Sequence, residues 1–457
     1  MTPAPTRDSS QKFLKIFEDY NSFFRLWIGL IPGVCISNPD FIQKLLTNKN
    51  GLEKSFLMKY FGKEAMGDSI ILSDVVKWKH NRGIVARGFT PLILKSYFKI
   101  FVEKSLMLVE KLDEKLNDGE SFDIYEYLSK TTLEAVCGST MGVNIDIPNS
   151  YCSALESAFH LGMHRIYHFW EIPNCTYRWT DNYKKFNESI KTVREFTHNV
   201  FLQKKKYYNS KNNENVNEIK SNLKNEFKKP LLEYLIDFAA VNSDFTEEDI
   251  EIEANLAIMA GYETLSTTLS YVILNLALHK DIQNKVCEEL FEVLDNDSDR
   301  TIAVEDLSKL KYMEMVIKES MRLYAPVPLI SRQLTDDIKF GDWLIPQGVS
   351  CVVSIFSLHR DGKIWNNPLK FDPDRFTPEN SKTRHPYAHI PFSAGPRNCL
   401  GDRYAWMLMK AVLATLLRRY EFHTDLKENA LEFEIAITLK LIGGHQVRIT
   451  SRNQDCF

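Results

Sequence analysis

A cysteine near the C-terminal end lies in a segment whose spacing suits a metal-bound sulfur. The segment reads Phe392-Ser-Ala-Gly395-Pro-Arg397-Asn-Cys399-Leu-Gly401, and a helical apolar pattern follows it directly. A thiolate ligand of iron needs a loop whose backbone N–H groups point at the sulfur. The two glycines permit such a loop, Phe392 can shield the sulfur, and Arg397 can pair with a haem propionate. We therefore predict Cys399 as the axial ligand of a haem iron; the alternative is a buried structural cysteine.

A carboxylate and two guanidinium groups upstream have a spacing that suits an ion cluster. Glu319-Ser-Met-Arg322 places the two charged side chains on one helix face, and Arg375 follows in Phe371-Asp-Pro-Asp-Arg375-Phe376. Glu319 could accept hydrogen bonds from both arginines and lock the surrounding core. Taken alone, a helical Glu/Arg pair is more often a solvated salt bridge.

A long helix is predicted from Thr246, where Thr-Glu-Glu-Asp resembles a capping box, to about Leu278. Small residues recur along one face of this helix. They are Ala257, Ala260, Gly261, Thr264 and Thr268. Such a stripe leaves room for a flat cofactor and a diatomic ligand beside the helix, or else marks a tight helix crossing. With Cys399 in the same chain, Thr264 and its neighbour Glu263 are predicted to deliver protons.

The elements that must position these residues are mostly helical. Apolar residues recur at helical spacing over 92–116, 122–137 and 187–208, whereas short strands are predicted at 24–36, 349–355 and 435–441. The fold class is therefore mainly α with small β-sheets. We expect one domain over 1–457, with a polar tail at 1–20 and a polar surface loop at 204–229.

Composition excludes several classes of protein. The net charge of -3 provides no overall polycation for nucleic acid. Eight cysteines without a CxxC pair argue against a disulfide framework or a zinc site. The early apolar stretch at 23–36 is short and interrupted by Arg, Pro and Gly, so we predict no membrane helix and no signal peptide.

Together these motifs resemble the cytochrome P-450 superfamily. The signature Phe-x-x-Gly-x-Arg-x-Cys-x-Gly is matched at every position, as are the Glu-x-x-Arg, Pro-x-Arg-Phe and Ala-Gly-x-Asp/Glu-Thr elements. The likeness runs from about residue 20 to 450, and the runs 78–100 and 384–399 are typical of the family-four branch. The resemblance implies the cytochrome P-450 fold, a large multi-helical domain with a long central helix over the haem.

The resemblance also implies roles for residues outside the cysteine loop. Trp78 and Arg82, four residues apart on one helix, look like the family's Trp-x-x-x-Arg element, which reaches the haem propionates. Arg332 stands where the family places another propionate partner. Preceding it, Val327, Leu329 and Ile330 would line the substrate pocket; a Pro-rich turn feeding an edge strand is compatible with both roles.

The implied activity is a monooxygenase reaction. One oxygen atom from O2 would enter a C–H bond of a hydrophobic substrate, in fatty-acid or lipid hydroxylation near the chain end or in xenobiotic oxidation. The cofactor would be haem b, held non-covalently apart from the Cys399–iron bond, because Ala260 stands where many family-four members have the glutamate that esterifies haem. Two other classes stay open: a reductase-independent haem-thiolate isomerase or dehydratase of lipid peroxides, and a non-catalytic haem or lipid binder.

The resemblance further implies partners and a location. Electrons would come from NADPH–cytochrome P-450 reductase, with cytochrome b5 as a second donor, and Lys79, His80 and Arg87 could form part of the docking face. A monomer on the cytosolic face of the endoplasmic reticulum membrane is expected, although the usual N-terminal anchor is not seen. The segment 160–177 contains Ile166, Phe169, Trp170 and Ile172. It either dips into the membrane surface or forms a lid over the pocket.

Overall fold

The computed structural model describes residues 15–17, 19–20, 22–28, 31–116, 118–144, 147–211, 229–294 and 300–452. Helices dominate this part of the chain and the sheets are small, which confirms the predicted fold class. The predicted tail at 1–20 lies largely outside the described residues. The predicted loop at 204–229 was wrong at its start, because a helix continues to Lys211; residues 212–228 lie outside the described part.

Fifteen α-helices of four or more residues lie within the described ranges. They are α1 (Pro39–Thr47), α2 (Phe56–Met66), α3 (Val75–Val85), α4 (Pro91–Asp113), α5 (Ile124–Val136), α6 (Asn149–Tyr167), α7 (Asn174–Tyr177), α8 (Asp181–Lys211), α9 (Leu231–Val241), α10 (Glu247–Leu278), α11 (Lys280–Val293), α12 (Lys311–Leu323), α13 (Ile355–Leu358), α14 (Pro378–Ser381) and α15 (Asp402–Arg419). No helix in these ranges is long and apolar enough to cross a membrane.

The long helix α10 begins at a capping box, as its sequence predicts. The Thr246 side chain accepts from the Asp249 backbone N–H, and the Asp249 carboxylate accepts from the Thr246 backbone N–H. These two bonds satisfy N–H groups that the first helical turn leaves without partners. Most of α10 is buried, and it contacts α5, α9, α12 and α15, so it runs through the main hydrophobic core.

The strands form four small sheets at the side of the helical core. They are β1 (Phe23–Ile28), β2 (Ile31–Ile36), β3 (Phe122–Asp123), β4 (Leu329–Gln333), β5 (Ile338–Phe340), β6 (Trp343–Ile345), β7 (Ser350–Ser354), β8 (Tyr420–His423), β9 (Phe433–Ile435), β10 (Leu439–Leu441) and β11 (Gln446–Ser451). The largest sheet has the order β1-β2-β7-β4. The single strand predicted over 435–441 was wrong: that region is an antiparallel hairpin of β9 and β10.

Candidate active site

The Cys399 loop folds back on itself immediately before α15. The Cys399 backbone N–H donates to the Phe392 carbonyl at 2.9 Å, and the Asn398 N–H donates to the Gly395 carbonyl at 3.1 Å. Gly395 has a φ of +73°, and a side chain there would collide with the Leu46 carbonyl of α1. Glycine is therefore required at 395 for two reasons, one conformational and one steric.

The Cys399 side chain is accessible although many protein atoms surround it. Burial among these atoms raises the pKa of the thiol to about 11, against an opposing hydrogen bond from the Gly401 backbone. A Cβ at Gly401 would lie 4.0 Å from the sulfur, which is an ordinary van der Waals distance, so Gly401 borders Cys399 without being sterically required there.

The guanidinium of Arg397 binds three backbone carbonyls beside the loop. It donates to the carbonyls of Leu52 at 3.1 Å, Ile70 at 3.1 Å and Ser73 at 3.0 Å. It also stacks over the Trp78 ring, 4.2 Å from the ring centroid. Three of its five N–H groups are thus engaged within the protein.

Helix α3 contacts the same loop through Arg82. Its Nη1 donates to the Asn398 carbonyl at 2.9 Å, and its Nη2 donates to the Asn398 side-chain oxygen at 2.7 Å. Trp78 is buried one turn earlier on α3. Trp78 and Arg82 therefore both lie against the Cys399 loop, and their predicted contact with the haem propionates stays a prediction.

Four cations cluster beside the loop without an acidic partner. Arg332 and Arg397 are buried, and Lys54 and Arg82 lie near them. Burial lowers the pKa of Lys54 most, and the charges of Arg332, Arg397 and Arg82 lower it further. Within the described ranges, no salt bridge joins any of the four to a carboxylate. Buried cations are costly unless an anion compensates them. A haem, with two propionates for the cations and iron for Cys399, fits this set of donors.

The small-residue stripe is accessible in the middle of α10, where most neighbouring residues are buried. Ala260 is exposed and Ala257, Gly261 and Thr264 are partly exposed, whereas the residues between them are buried. The Thr264 hydroxyl donates to the Ala260 carbonyl at 2.8 Å. Thr268 is buried and extends the stripe into the core. The stripe therefore leaves accessible room beside α10, and its predicted role beside a cofactor stays a prediction.

Gly261 has a different role from its neighbours in the stripe. A Cβ at this position would lie 2.9 Å from a methyl group of Val136 in α5. Helices α5 and α10 therefore cross closely at Gly261, which is the alternative that the sequence left open for a small-residue stripe.

The side chain of Glu263 is directed away from the stripe and buried. It accepts hydrogen bonds from the hydroxyls of Tyr125 at 3.0 Å and Thr438 at 2.8 Å, and Lys440 lies 3.5 Å away. Neither hydrogen bond involves Thr264. The structure thus places the two residues of the predicted proton-delivery pair on different faces of α10, and their joint role stays a prediction.

The predicted ion cluster of Glu319, Arg322 and Arg375 is assembled and buried. Arg322 donates to both oxygens of Glu319, and Arg375 donates to one of them at 3.2 Å. The cluster also fixes the chain between α13 and α14, because Arg375 binds the carbonyls of Asn366 and Asn367. The alternative of a solvated salt bridge does not hold here.

The predicted substrate-pocket residues lead into an edge strand. Leu329 and Ile330 lie in β4 at the edge of its sheet, and both are partly exposed, as is Val327 just before the strand. Arg332 in the same strand is buried, and its guanidinium donates to the Ser331 carbonyl at 2.9 Å. Lys54 was not predicted from sequence, because nothing in its spacing relates it to residues 332 and 397.

Comparisons with known proteins agree with this geometry. A family model described as cytochrome P-450 matches residues 4–443. The chain is 31% identical over 447 residues to probable cytochrome P-450 4aa1 of Drosophila melanogaster, covering 96% of this chain and 84% of that protein. It is 32% identical over 457 residues to cytochrome P-450 4F4 of Rattus norvegicus, covering 97% and 86%.

A third relative is cytochrome P-450 4V2 of Pongo abelii, which is 30% identical to this chain over 460 residues. The match covers 98% of this chain and 86% of that protein. All three relatives carry family-four names. Membership implies a haem b held through a cysteine thiolate, with O2 as co-substrate. This chain belongs to the family-four branch of the cytochrome P-450 family and is a haem-thiolate monooxygenase.

Proposed function

We propose that this monooxygenase hydroxylates fatty acids or related lipids, with the terminal part of an alkyl chain directed at the iron. The branch of its relatives and the apolar residues at Val327, Leu329 and Ile330 support a lipid-like substrate. The accessible part of the stripe is mostly apolar, because Thr264 provides its one partly exposed hydroxyl. An apolar surface of this kind suits an alkyl chain. Oxidation of foreign hydrophobic compounds is the second candidate for the same site.

Bound haem would supply oxygen activation, whereas the protein would orient the substrate and deliver protons. Cys399 would ligate iron, while Arg82, Arg332 and Arg397, with Trp78 between them, would hold the propionates. Phe392 would cover the sulfur, and Ala260 and Gly261 would border the oxygen side. Thr264 would hold a hydroxyl on the accessible face of α10, and Glu263 would exchange protons with that hydroxyl after leaving Tyr125 and Thr438.

We further propose attachment to the endoplasmic reticulum membrane through the segment between α6 and α8. Trp170 and Trp179 are 53% and 89% exposed there, and Phe56 at the start of α2 is 51% exposed. Indole rings prefer the interface between water and lipid. The side chain of Phe169 lies outside the described residues. The alternative role, a lid over the substrate pocket, was predicted for the same segment.

Electrons would reach the haem from NADPH–cytochrome P-450 reductase, with cytochrome b5 as a further donor to a monomer. Lys79, His80 and Arg87 are exposed on or just beyond α3, whose Arg82 binds the cysteine loop. Cations at this position would attract an acidic partner toward the thiolate side.

The test is product analysis with the purified holoprotein, reductase, NADPH and a panel of fatty acids of different chain length. Hydroxylated product that depends on NADPH supports the proposal. Conversion of lipid hydroperoxides without NADPH would instead indicate the isomerase or dehydratase activity. Tight lipid binding without any product would indicate a carrier.

A further inference from the structure

Lys54 is a buried lysine to which the described part of the chain offers no hydrogen-bond or ion-pair partner. Its side chain is 9% exposed. A buried ammonium without a counter-ion is costly and persists where something else compensates it.

The residues on either side of Lys54 fix its position at the cation cluster. The Leu52 carbonyl accepts from Arg397, and the Ser55 hydroxyl lies 2.7 Å from that of Ser331, next to Arg332. The nearest carboxylate along the chain, Glu53, is already engaged by Lys59 at 2.7 Å and by the Val75 N–H at 2.9 Å. Glu53 therefore does not serve as the counter-ion of Lys54.

The electrostatics of the cluster favour an incoming anion. Burial is the largest cause that lowers the pKa of Lys54, followed by the charges of Arg332, Arg397 and Arg82. Burial also lowers the pKa of Arg332 and of Arg397 to about 10. A dianion placed among these groups would keep all four charged.

We propose that Lys54 binds a haem propionate and completes the cation cluster with Arg82, Arg332 and Arg397. The inference rests on the haem site and not on the choice of substrate. Lys54 would retain the cofactor and adjust its electrostatics through the propionate, without touching the reacting atoms.

The experiment compares holoproteins of the wild type, Lys54→Met and Lys54→Arg, each first shown to carry thiolate-bound haem by its reduced carbon monoxide spectrum. Two quantities are measured: the rate at which haem transfers to excess apomyoglobin, and the reduction potential of the iron. Methionine keeps the length of the side chain without its charge. Lys44→Met, at an exposed position of α1, is the control.

Haem should leave Lys54→Met about 10- to 100-fold faster than the wild type, since a charge-assisted bond is lost. The reduction potential should become more negative, because a nearby cation favours the reduced iron. Lys54→Arg should restore both quantities, whereas a purely structural role would leave the potential unchanged. Wild-type transfer rate and potential in Lys54→Met would overturn the proposal.

If Lys54→Met yields no holoprotein, Lys54→Gln replaces it, with the same expected directions. Normal haem loading by Lys54→Arg alone would then support the charge-based role. Failure of Lys54→Arg as well would overturn it, because packing and not charge would be limiting. A wild-type chain that binds haem but oxidises no lipid would count against the proposed substrate and leave this result intact.

Discussion

Arg322 donates through Nε and Nη2 to the two carboxylate oxygens of Glu319, at 2.6 and 2.8 Å, and neither side chain reaches solvent. The same guanidinium donates at 2.7 Å to the carbonyls of His359 and Pro368. This one pair therefore joins α12 to the irregular chain that precedes the cysteine loop.

Replacing Glu319 with alanine should destabilise the protein strongly. Arg322 would remain buried as an uncompensated cation, which costs about 3–5 kcal/mol. Denaturant unfolding followed by tryptophan fluorescence measures the loss. Lys318→Ala, which removes a partly exposed pair with Glu314, is the control and should cost at most about 0.5 kcal/mol. Equal losses in the two variants would contradict a special role for the buried pair.

The close crossing of α5 and α10 predicts that Gly261 tolerates no larger side chain. Gly261→Val should cost about 1–3 kcal/mol, because the added methyl groups overlap Val136. Adding Val136→Ala should recover part of the loss, which a double-mutant cycle measures. Gly83→Ala in α3, where nothing lies within 4 Å, should instead be neutral or stabilising. Additive effects of the Gly261 and Val136 changes would refute the predicted contact.

The buried carboxyl of Glu253 in α10 should make the free energy of unfolding depend on pH. Burial raises the pKa of its carboxyl from 4.5 to about 8, although the Asn81 side chain and the Ile70 N–H bind it. The folded state thus holds a proton that the unfolded state has lost, so stability should fall as pH rises from about 4.5 to 8. Glu253→Gln should remove this part of the decline in melting temperature. The exposed Glu248→Gln serves as control, and an unchanged decline in Glu253→Gln would exclude Glu253 as its source.

Cys399→Ser should abolish the thiolate-type band of the reduced, carbon-monoxide-bound protein. Serine offers no sulfur for the strong electron donation that produces this spectrum. Cys175→Ser, at an exposed position in α7, should keep the band. Retention of the band by Cys399→Ser would mean that another residue ligates the iron.

Thr264→Ala should divert reducing equivalents into hydrogen peroxide. The hydroxyl at this partly exposed position is the one predicted to take part in proton delivery. The ratio of product to NADPH consumed should fall, while Thr267→Ala, at a buried position, should leave it unchanged. Unchanged coupling in Thr264→Ala would remove this residue from the proton path.

Sequence reasoning predicted the features that depend on residues close together in the chain. The capping box at Thr246, the Glu319–Arg322 pair and the glycine at 395 each follow from a short motif with a direct physical requirement. The β9–β10 hairpin was missed because its alternation continues across the turn. The end of α8 was missed because its last residues are polar, although the helix continues through them to Lys211.

Contacts between distant segments could not be predicted in the same way. The partners of Glu263 include Thr438, which lies 175 residues later in the chain, and no local pattern relates the two. The contact between Gly261 and Val136 depends on the crossing geometry of two helices. Lys54 acquires its environment only when residues 332 and 397 are folded against it.

The contacts of Arg397 determine when, during synthesis, the cysteine loop can be completed. The carbonyls that it binds belong to residues made 324 to 345 positions earlier. A growing chain on the ribosome must therefore keep its first segments available until the cysteine loop has been synthesised. Fragments that stop before this loop lack the thiolate ligand and one wall of the cofactor pocket, so stable haem capture belongs to the last stage of biogenesis.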